Sequence, residues 1–135
     1  TNMANAVYTK AKEALLGANL DLSGATVKCV MVTSAYTYSA AHQYLSSVGA
    51  PSRVATSSGL ANKTITDGTF DADDVVFTTP ASGSTVIALI LFVDTGVEGT
   101  SRLICYIDTG TGLPLTTNGG NINIVWNASG ILVLS

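Results

Sequence analysis

A chain of 135 residues has the length of one domain, and on folding it can bury about two-thirds of the surface that it exposes when unfolded. Charged residues make up 11% of the sequence, six basic and nine acidic, where a typical soluble domain carries about 25%. Six cations and a net charge of −3 argue against a nucleic-acid-binding protein, which needs a basic stripe to displace the counterions of the phosphate backbone.

The first predicted element is an amphipathic helix over residues 4–16. Val7, Ala11 and Ala14 follow the i, i+4, i+7 spacing that places apolar side chains on one face of a helix. Gly17 comes next and is expected to end the helix, because glycine enters the left-handed backbone conformation at low cost.

After Gly24 the period of the apolar residues changes from 3.6 to 2, which is typical of β-strands. Residues 36–48 are expected to form a loop that holds one helical turn, with Ser39 as its cap. Residues 67–68, Asp-Gly, predict a tight turn between two strands. Trp126 falls on the apolar positions of the last long alternation and is expected in the core. The predicted strands cover residues 27–32, 53–56, 60–66, 75–78, 86–93, 103–108, 121–127 and 131–134.

No linker, charge run or tandem repeat divides the sequence, so a single β-rich domain is predicted over residues 1–135. The helix over residues 4–16 is followed by about eight short strands within residues 25–135. This pattern predicts a mainly β fold with antiparallel strands in a β-sandwich or jelly-roll-like domain. A closed barrel fits the same pattern.

Residues 86–93 form the longest unbroken apolar run, which is far shorter than the roughly 20 residues that a membrane-spanning helix needs. A strand with one wet face alternates apolar and polar residues, so this strand must be covered on both faces. The helix is the cover expected from within the chain, and a partner subunit is the alternative. Residues 131–134 form a terminal apolar strand, either an ordinary core strand or an edge that pairs with another chain.

The sequence offers few residues for catalysis. His42 is the one histidine, and its neighbours Ala41 and Gln43 are typical of a loop or packing residue rather than of a general base. No nucleophile elbow, zinc-binding helix motif or phosphate-binding glycine loop occurs in the sequence. We therefore predict no catalytic residues, no cofactor and no metal site.

Two further clusters have structural interpretations. Asp71, Asp73 and Asp74 supply oxygen ligands of the kind that calcium prefers, but their order differs from that of a calcium-binding loop, so a solvated turn is favoured. Cys29 and Cys105 fall on apolar faces of predicted strands and are expected to be small buried hydrophobic residues. A disulfide between them is the alternative, and it requires Cα atoms within about 7 Å.

Three tyrosines, Tyr36, Tyr38 and Tyr44, crowd one predicted loop. Exposed tyrosines stack on sugars or anchor protein interfaces, whereas buried ones would cap the end of the sandwich. The residues favour neither interpretation over the other. The sequence also contains 18 Thr and 13 Ser, so the surface is expected to consist of small hydroxyl side chains that repel neighbouring molecules weakly.

Three segments of the sequence resemble small structural proteins of tailed bacteriophages. They are NAVYTKAKEALLGANLDLSGATVKCVMV (residues 5–32), RVATSSGLANKTITDGTFDADDVVFT (residues 53–78) and ALILFVDTGVEGTSRLICYIDTGTGLPLTTNGGNINIVWN (residues 88–127). Together they cover most of the chain and contain no active-site motif. The resemblance implies a capsid decoration, or cement, protein without enzymatic activity, which lies on the outer surface of the virion and stabilises the head.

The expected partners are the major capsid protein and further copies of the same chain, with neither nucleic acid nor a membrane. A tail or tail-fibre component is one alternative, and a carbohydrate-binding module that uses the tyrosine loop is another. Either the N-terminal helix or the loops over residues 36–48 and 109–120 are expected to contact the shell. The candidate interface residues are Tyr36, Tyr38, Tyr44, Val86 and Leu115.

Overall fold

A computed structural model describes residues 6–17, 26–39, 41–57, 59–66, 69–78, 82–107, 115–124 and 132–133. Within them, one α-helix and two short 3-10 turns, Leu45–Ser47 and Ala50–Ser52, accompany antiparallel strands, so the predicted mainly β fold is confirmed. The elements are β1 (Ala6–Val7), α1 (Thr9–Leu16), β2 (Val27–Val32), β3 (Arg53–Thr56), β4 (Thr64–Thr66), β5 (Thr69–Asp71), β6 (Val75–Phe77), β7 (Thr85–Val86), β8 (Ala88–Val93), β9 (Leu103–Ile107), β10 (Leu115–Thr116), β11 (Ile122–Ile124) and β12 (Leu132–Val133).

Five strands form the central sheet in the order β1-β9-β8-β2-β3. The middle strand, β8, is buried from Ala88 to Phe92, and all of β9 is buried. The described part of this one chain therefore covers both faces of β8. The interpretation as a central strand covered from within the chain therefore holds for β8, but the helix that was expected to cover it packs beside β9.

The two faces of the central sheet carry different side chains. Directly paired residues of antiparallel strands point to the same face, so Val30, Ile90 and Tyr106 share one face and Cys29 and Cys105 share the other. Helix α1 packs beside β9. The face of Tyr106 therefore lies under the start of the helix and the loop after β2, where the candidate site forms.

Three smaller sheets complete a sandwich-like arrangement that is not closed: β12-β5-β4, β11-β6 and β10-β7. Phe70 of β5 and Phe77 of β6 are buried in the same apolar cluster as the central sheet. Ile65 pairs with Phe70 across β4 and β5, as expected for a hairpin around residues 67–68, although these two residues lie outside the described ranges.

The predicted start of the helix is wrong. α1 begins at Thr9, and Ala6–Val7 instead pair with β9 at the edge of the central sheet. The backbone N–H of Tyr8 extends this pairing by donating to the carbonyl of Ile104 at 3.2 Å. Pairing with the edge of β9 thus replaces the first helical turn. Gly17 caps the helix as predicted, but with a φ of −87° rather than a left-handed conformation.

The strand predicted over residues 86–93 is in fact two strands. Ile87 separates them, and its backbone N–H donates to the carbonyl of Val32 at 2.9 Å. Val86 pairs with Leu115 of β10, whereas β8 pairs with β2 and β9. The chain therefore moves from a small sheet to the central sheet at this point, and the break is a change of partner.

Other differences concern short elements. The strand predicted over residues 60–66 is confined to Thr64–Thr66, and β1, β5 and β10 were not predicted. Ser39 does not cap the 3-10 turn at Leu45–Ser47, since its hydroxyl accepts from the N–H of Ala41 at 3.3 Å. The predicted core position of Trp126 lies outside the described residues.

Candidate functional site

Two of the three candidate interface tyrosines, Tyr36 and Tyr38, belong to a buried cluster whose other members the sequence did not reveal. The hydroxyl oxygens of Tyr8 and Tyr36 lie 2.6 Å apart and share a hydrogen bond. The Tyr36 hydroxyl also lies 2.8 Å from Nδ1 of His42. We call Tyr8, Tyr36, Tyr38, Tyr106 and His42 the tyrosine cluster. It ties the start of α1 to the loop after β2 by a chain of two hydrogen bonds.

Ring packing holds the same cluster against the central sheet. The Tyr38 ring lies between those of Tyr8 and Tyr106, with centroid distances of 5.1 and 4.9 Å. The Tyr36 ring lies 6.0 Å from that of Tyr106. These tilted arrangements bring ring edges towards ring faces, which aromatic pairs prefer. Tyr36 is only 5% exposed, so it caps the sandwich, as one of the two interpretations of the tyrosine loop expects, and offers no face to a sugar.

Burial raises the pKa values of three phenols of the cluster. It raises the pKa of Tyr8 far above its ordinary value, and the hydrogen bond with Tyr36 raises it further. Burial also raises the pKa of Tyr36 to about 12, although its hydrogen bond with Tyr8 acts in the opposite direction. The pKa of Tyr38 is raised by burial as well. The phenols of Tyr8, Tyr36 and Tyr38 are therefore protonated at physiological pH, and the hydrogen bond between Tyr8 and Tyr36 is one between neutral groups.

His42 lies at the outer end of this chain of hydrogen bonds. Its ring packs 5.5 Å from that of Tyr36, and Nδ1 is engaged by the Tyr36 hydroxyl. The histidine is half-buried, and its contacts are those of the loop and packing residue that the sequence predicts.

Tyr44 belongs to a different part of the surface. Its ring is half-buried and lies under the guanidinium of Arg102, 5.4 Å from Cζ to the ring centroid. The backbones of the same two residues form an isolated antiparallel bridge. Of the three candidate interface tyrosines, Tyr44 alone lies outside the tyrosine cluster, and its ring packs against the Arg102 guanidinium instead.

The two apolar candidate interface residues lie side by side. Val86 and Leu115 are register partners in β7 and β10. Val86 is fully buried by its own chain, so its side chain belongs to the core and is not an exposed contact. The apolar run at 86–93 suggested a surface only because the sequence does not show what covers it. Leu115 is half-buried against the core.

Sequence reasoning missed the large apolar side chains that are exposed. Strand β6 has the burial pattern buried–exposed–buried, because alternate residues of a strand point to opposite faces. Val76 is therefore exposed between Val75 and Phe77, and the wholly apolar sequence of these three residues gives no signal of it. Val97 stands at the tip of the loop between β8 and β9. Among the residues that the structure describes, the exposed large hydrophobic ones are Leu16, Ile65, Val76 and Val97, at 87, 53, 47 and 60% exposure.

The cysteines and aspartates have structural surroundings. Cys29 and Cys105 are buried, unpaired thiols that both neighbour Leu91 from opposite sides, two strand spacings apart. Two spacings of about 4.8 Å exceed the Cα separation that a disulfide allows. The Asn62 amide donates to the Asp73 carboxylate. No group of three or more His, Cys, Asp or Glu within the described ranges is arranged to hold a metal ion.

Comparison with known proteins adds no relative. No protein-family model matches the chain, and the search of curated proteins returns no match. No helix in the described part of the chain is both long and apolar enough to cross a membrane.

Proposed function

We propose that this chain is a non-enzymatic structural protein of a tailed-phage virion, and that it decorates the outer surface of the major capsid protein lattice. The resemblance of residues 5–32, 53–78 and 88–127 to phage structural proteins names the class. The observation that carries the proposal is the surface: it is poor in charge, rich in Ser and Thr, and bears separate exposed apolar side chains.

Such a surface suits binding to a protein lattice. Apolar side chains gain free energy when they leave water, and few charged groups must be desolvated when the surface is covered. Each contact is small, but a capsid presents the same contact at many fixed positions. A chain that also associates with its own copies would bind the shell through several such contacts at once.

We expect the loop between β8 and β9 to contact the lattice, because its own hydrogen bonds hold it in place before binding. The hydroxyls of Ser101 and Thr100 donate to the carbonyl of Val97 at 2.9 and 3.2 Å. The Asp94 carboxylate accepts from the N–H of Gly96 at 2.9 Å. These bonds fix the loop while the Val97 side chain stays 60% exposed. A contact that is ordered before binding loses less conformational entropy on binding.

A cryo-EM map of the phage particle that contains this chain tests the proposal. Density that fits the β-rich domain on the outside of the head is the expected result. Density at the tail would refute the decoration role and favour the tail alternative. A map without the chain would refute a virion role altogether.

A binding assay with the purified protein and shells that lack it tests the surface argument separately. Val97→Ser keeps the loop's backbone bonds but removes most of the exposed apolar group, and should lower occupancy of the shells severalfold. Lys12→Gln, which changes an exposed side chain of α1, is the matched control and should bind as the unchanged protein does. Equal occupancy for both variants would contradict a role for Val97.

A further inference from the structure

A small hollow lies on the surface between α1 and the segment before the first 3-10 turn. Its volume is about 190 Å³, below the roughly 300–1,000 Å³ of pockets for drug-sized ligands. It therefore fits a single side chain better than a whole small molecule. We call it the basic hollow, and it is lined by Lys10, Glu13, Ala14, Gln43 and Arg102.

The backbone around Arg102 is firmly held. The N–H of Leu103 donates to the carbonyl of Gln43 at 2.9 Å, and the N–H of Leu45 donates to the carbonyl of Ser101 at 2.8 Å. These bonds lie on either side of the bridge between Tyr44 and Arg102. The Tyr44 ring lies under the guanidinium, so both the backbone and the side chain of Arg102 are positioned before any ligand arrives.

Arg102 differs from two other cations in the described part of the chain, which have carboxylate partners. Arg53 pairs with Glu98 at 2.8 Å, and Lys28 pairs with Asp94 at 2.7 Å. Among the described residues, no carboxylate pairs with the half-buried guanidinium of Arg102. A second cation, Lys10, lines the same hollow. Its ammonium group pairs with the Glu13 carboxylate at 3.3 Å, and both side chains are exposed. The lining as a whole carries one excess positive charge.

We propose that the basic hollow binds the side-chain carboxylate of an Asp or Glu on a second protein. The planar guanidinium of Arg102 presents two parallel N–H donors to such a carboxylate, Lys10 adds a positive charge, and the Gln43 amide adds a further donor. The size of the hollow suits one side chain, and the open surface allows a protein to reach it. This recognition goes beyond the proposed function, since it does not depend on which assembly the protein joins.

An NMR titration of the isotope-labelled full chain tests this proposal. The probes are two blocked pentapeptides of glycine with one central residue, Glu in one and Gln in the other. The Glu peptide should shift the Nε–H signal of Arg102 and the side-chain amide signal of Gln43, with saturation in the millimolar range that one ion pair supports. The Gln peptide at equal concentration should leave both signals in place.

Variants separate the hollow from general attraction between charges. Arg102→Gln should weaken binding of the Glu peptide about tenfold, and Arg102→Lys by less, because lysine keeps the charge but loses the fork. Glu13→Gln should tighten binding about twofold by removing a nearby negative charge. Lys12→Gln is the matched control, since Lys12 is an exposed cation of the same helix outside the hollow.

Two outcomes would overturn the proposal. One is equal shifts with the Glu and Gln peptides. The other is a loss of binding in Lys12→Gln as large as in Arg102→Gln. If Arg102→Gln disturbs the fold, as seen in the dispersion of its amide spectrum, Lys10→Gln must weaken binding more than Lys12→Gln does. If the Glu peptide binds but no phage particle contains the chain, the basic hollow is supported and the proposed function is refuted.

Discussion

Replacing Tyr36 by Phe tests whether the tyrosine cluster anchors the loop after β2 to the start of α1. The substitution keeps the ring and removes the hydroxyl that lies between Tyr8 and His42. Tyr8 is fully buried and its hydroxyl has no second partner among the described residues, so the variant leaves a buried O–H group without an acceptor. Such a group costs about 1–3 kcal/mol of the free energy of unfolding.

Urea unfolding followed by circular dichroism measures this loss, with a thermal scan as a second readout. For a domain of this size, each kcal/mol corresponds to a fall of about 3–5 °C in Tm. Tyr44→Phe is the matched control, because the Tyr44 hydroxyl makes no hydrogen bond within the described ranges. We expect Tyr44→Phe to change the free energy of unfolding by less than about 0.5 kcal/mol.

The double variant Tyr8→Phe with Tyr36→Phe gives the sharper comparison. Tyr8→Phe alone leaves the Tyr36 hydroxyl bonded to His42, and the double variant leaves no hydroxyl stranded at position 8. Its cost should therefore be smaller than the sum of the two single costs by about 1 kcal/mol. Strictly additive costs, or a Tyr36→Phe variant as stable as Tyr44→Phe, would refute the hydrogen-bonded anchor.

Three further measurements test the buried groups. Burial raises the pKa values of Tyr36 and Cys105 to about 12, above their unfolded values, so the stability that depends on them is complete below about pH 8 and is lost as the pH rises towards 12. The urea midpoint should therefore fall as the pH rises above about 9 for Cys105 and above about 10 for Tyr36, and a midpoint that stays flat to pH 11 would contradict this. The thiols of Cys29 and Cys105 should react with a thiol reagent only in denaturant, and rapid reaction of the native protein would show that they are accessible. Ile90→Ala in the middle strand should cost about 2–5 kcal/mol, while Val76→Ala at an exposed position should cost under about 1 kcal/mol, and similar costs would contradict the burial described for β8.

The strands that the sequence predicted best are those with strong apolar patterns. Residues 27–32 and 53–56 coincide with β2 and β3, and the strand predicted from residue 103 begins with β9. The short strands β1, β5 and β10 were missed because neighbouring chain segments, rather than local propensity, determine them. Ala6–Val7 illustrate this, since their helical spacing yields to pairing with the edge of β9.

The candidate site was predictable only in part. The crowding of tyrosines near residue 36 is visible in the sequence, but their contacts with Tyr8 and Tyr106 depend on how β9 lies beside β1 and β8. The basic hollow likewise joins Lys10 of the helix to Arg102 of the sheet region, which no local pattern connects. Val86 was placed at an interface because an apolar run looks the same whether its own chain or a partner covers it.

Coverage of β8 by its own chain separates folding from assembly. A strand covered by a partner would make folding and association one event, and the isolated chain would then have no stable fold. Here a single chain buries its own core. Association must therefore use side chains that are still exposed after folding, and these include Leu16, Ile65, Val76 and Val97. These side chains belong to four different elements, namely the end of α1, β4, β6 and the loop between β8 and β9. Under the proposed function, each such side chain would add a small affinity that the repeated sites of an assembled lattice multiply.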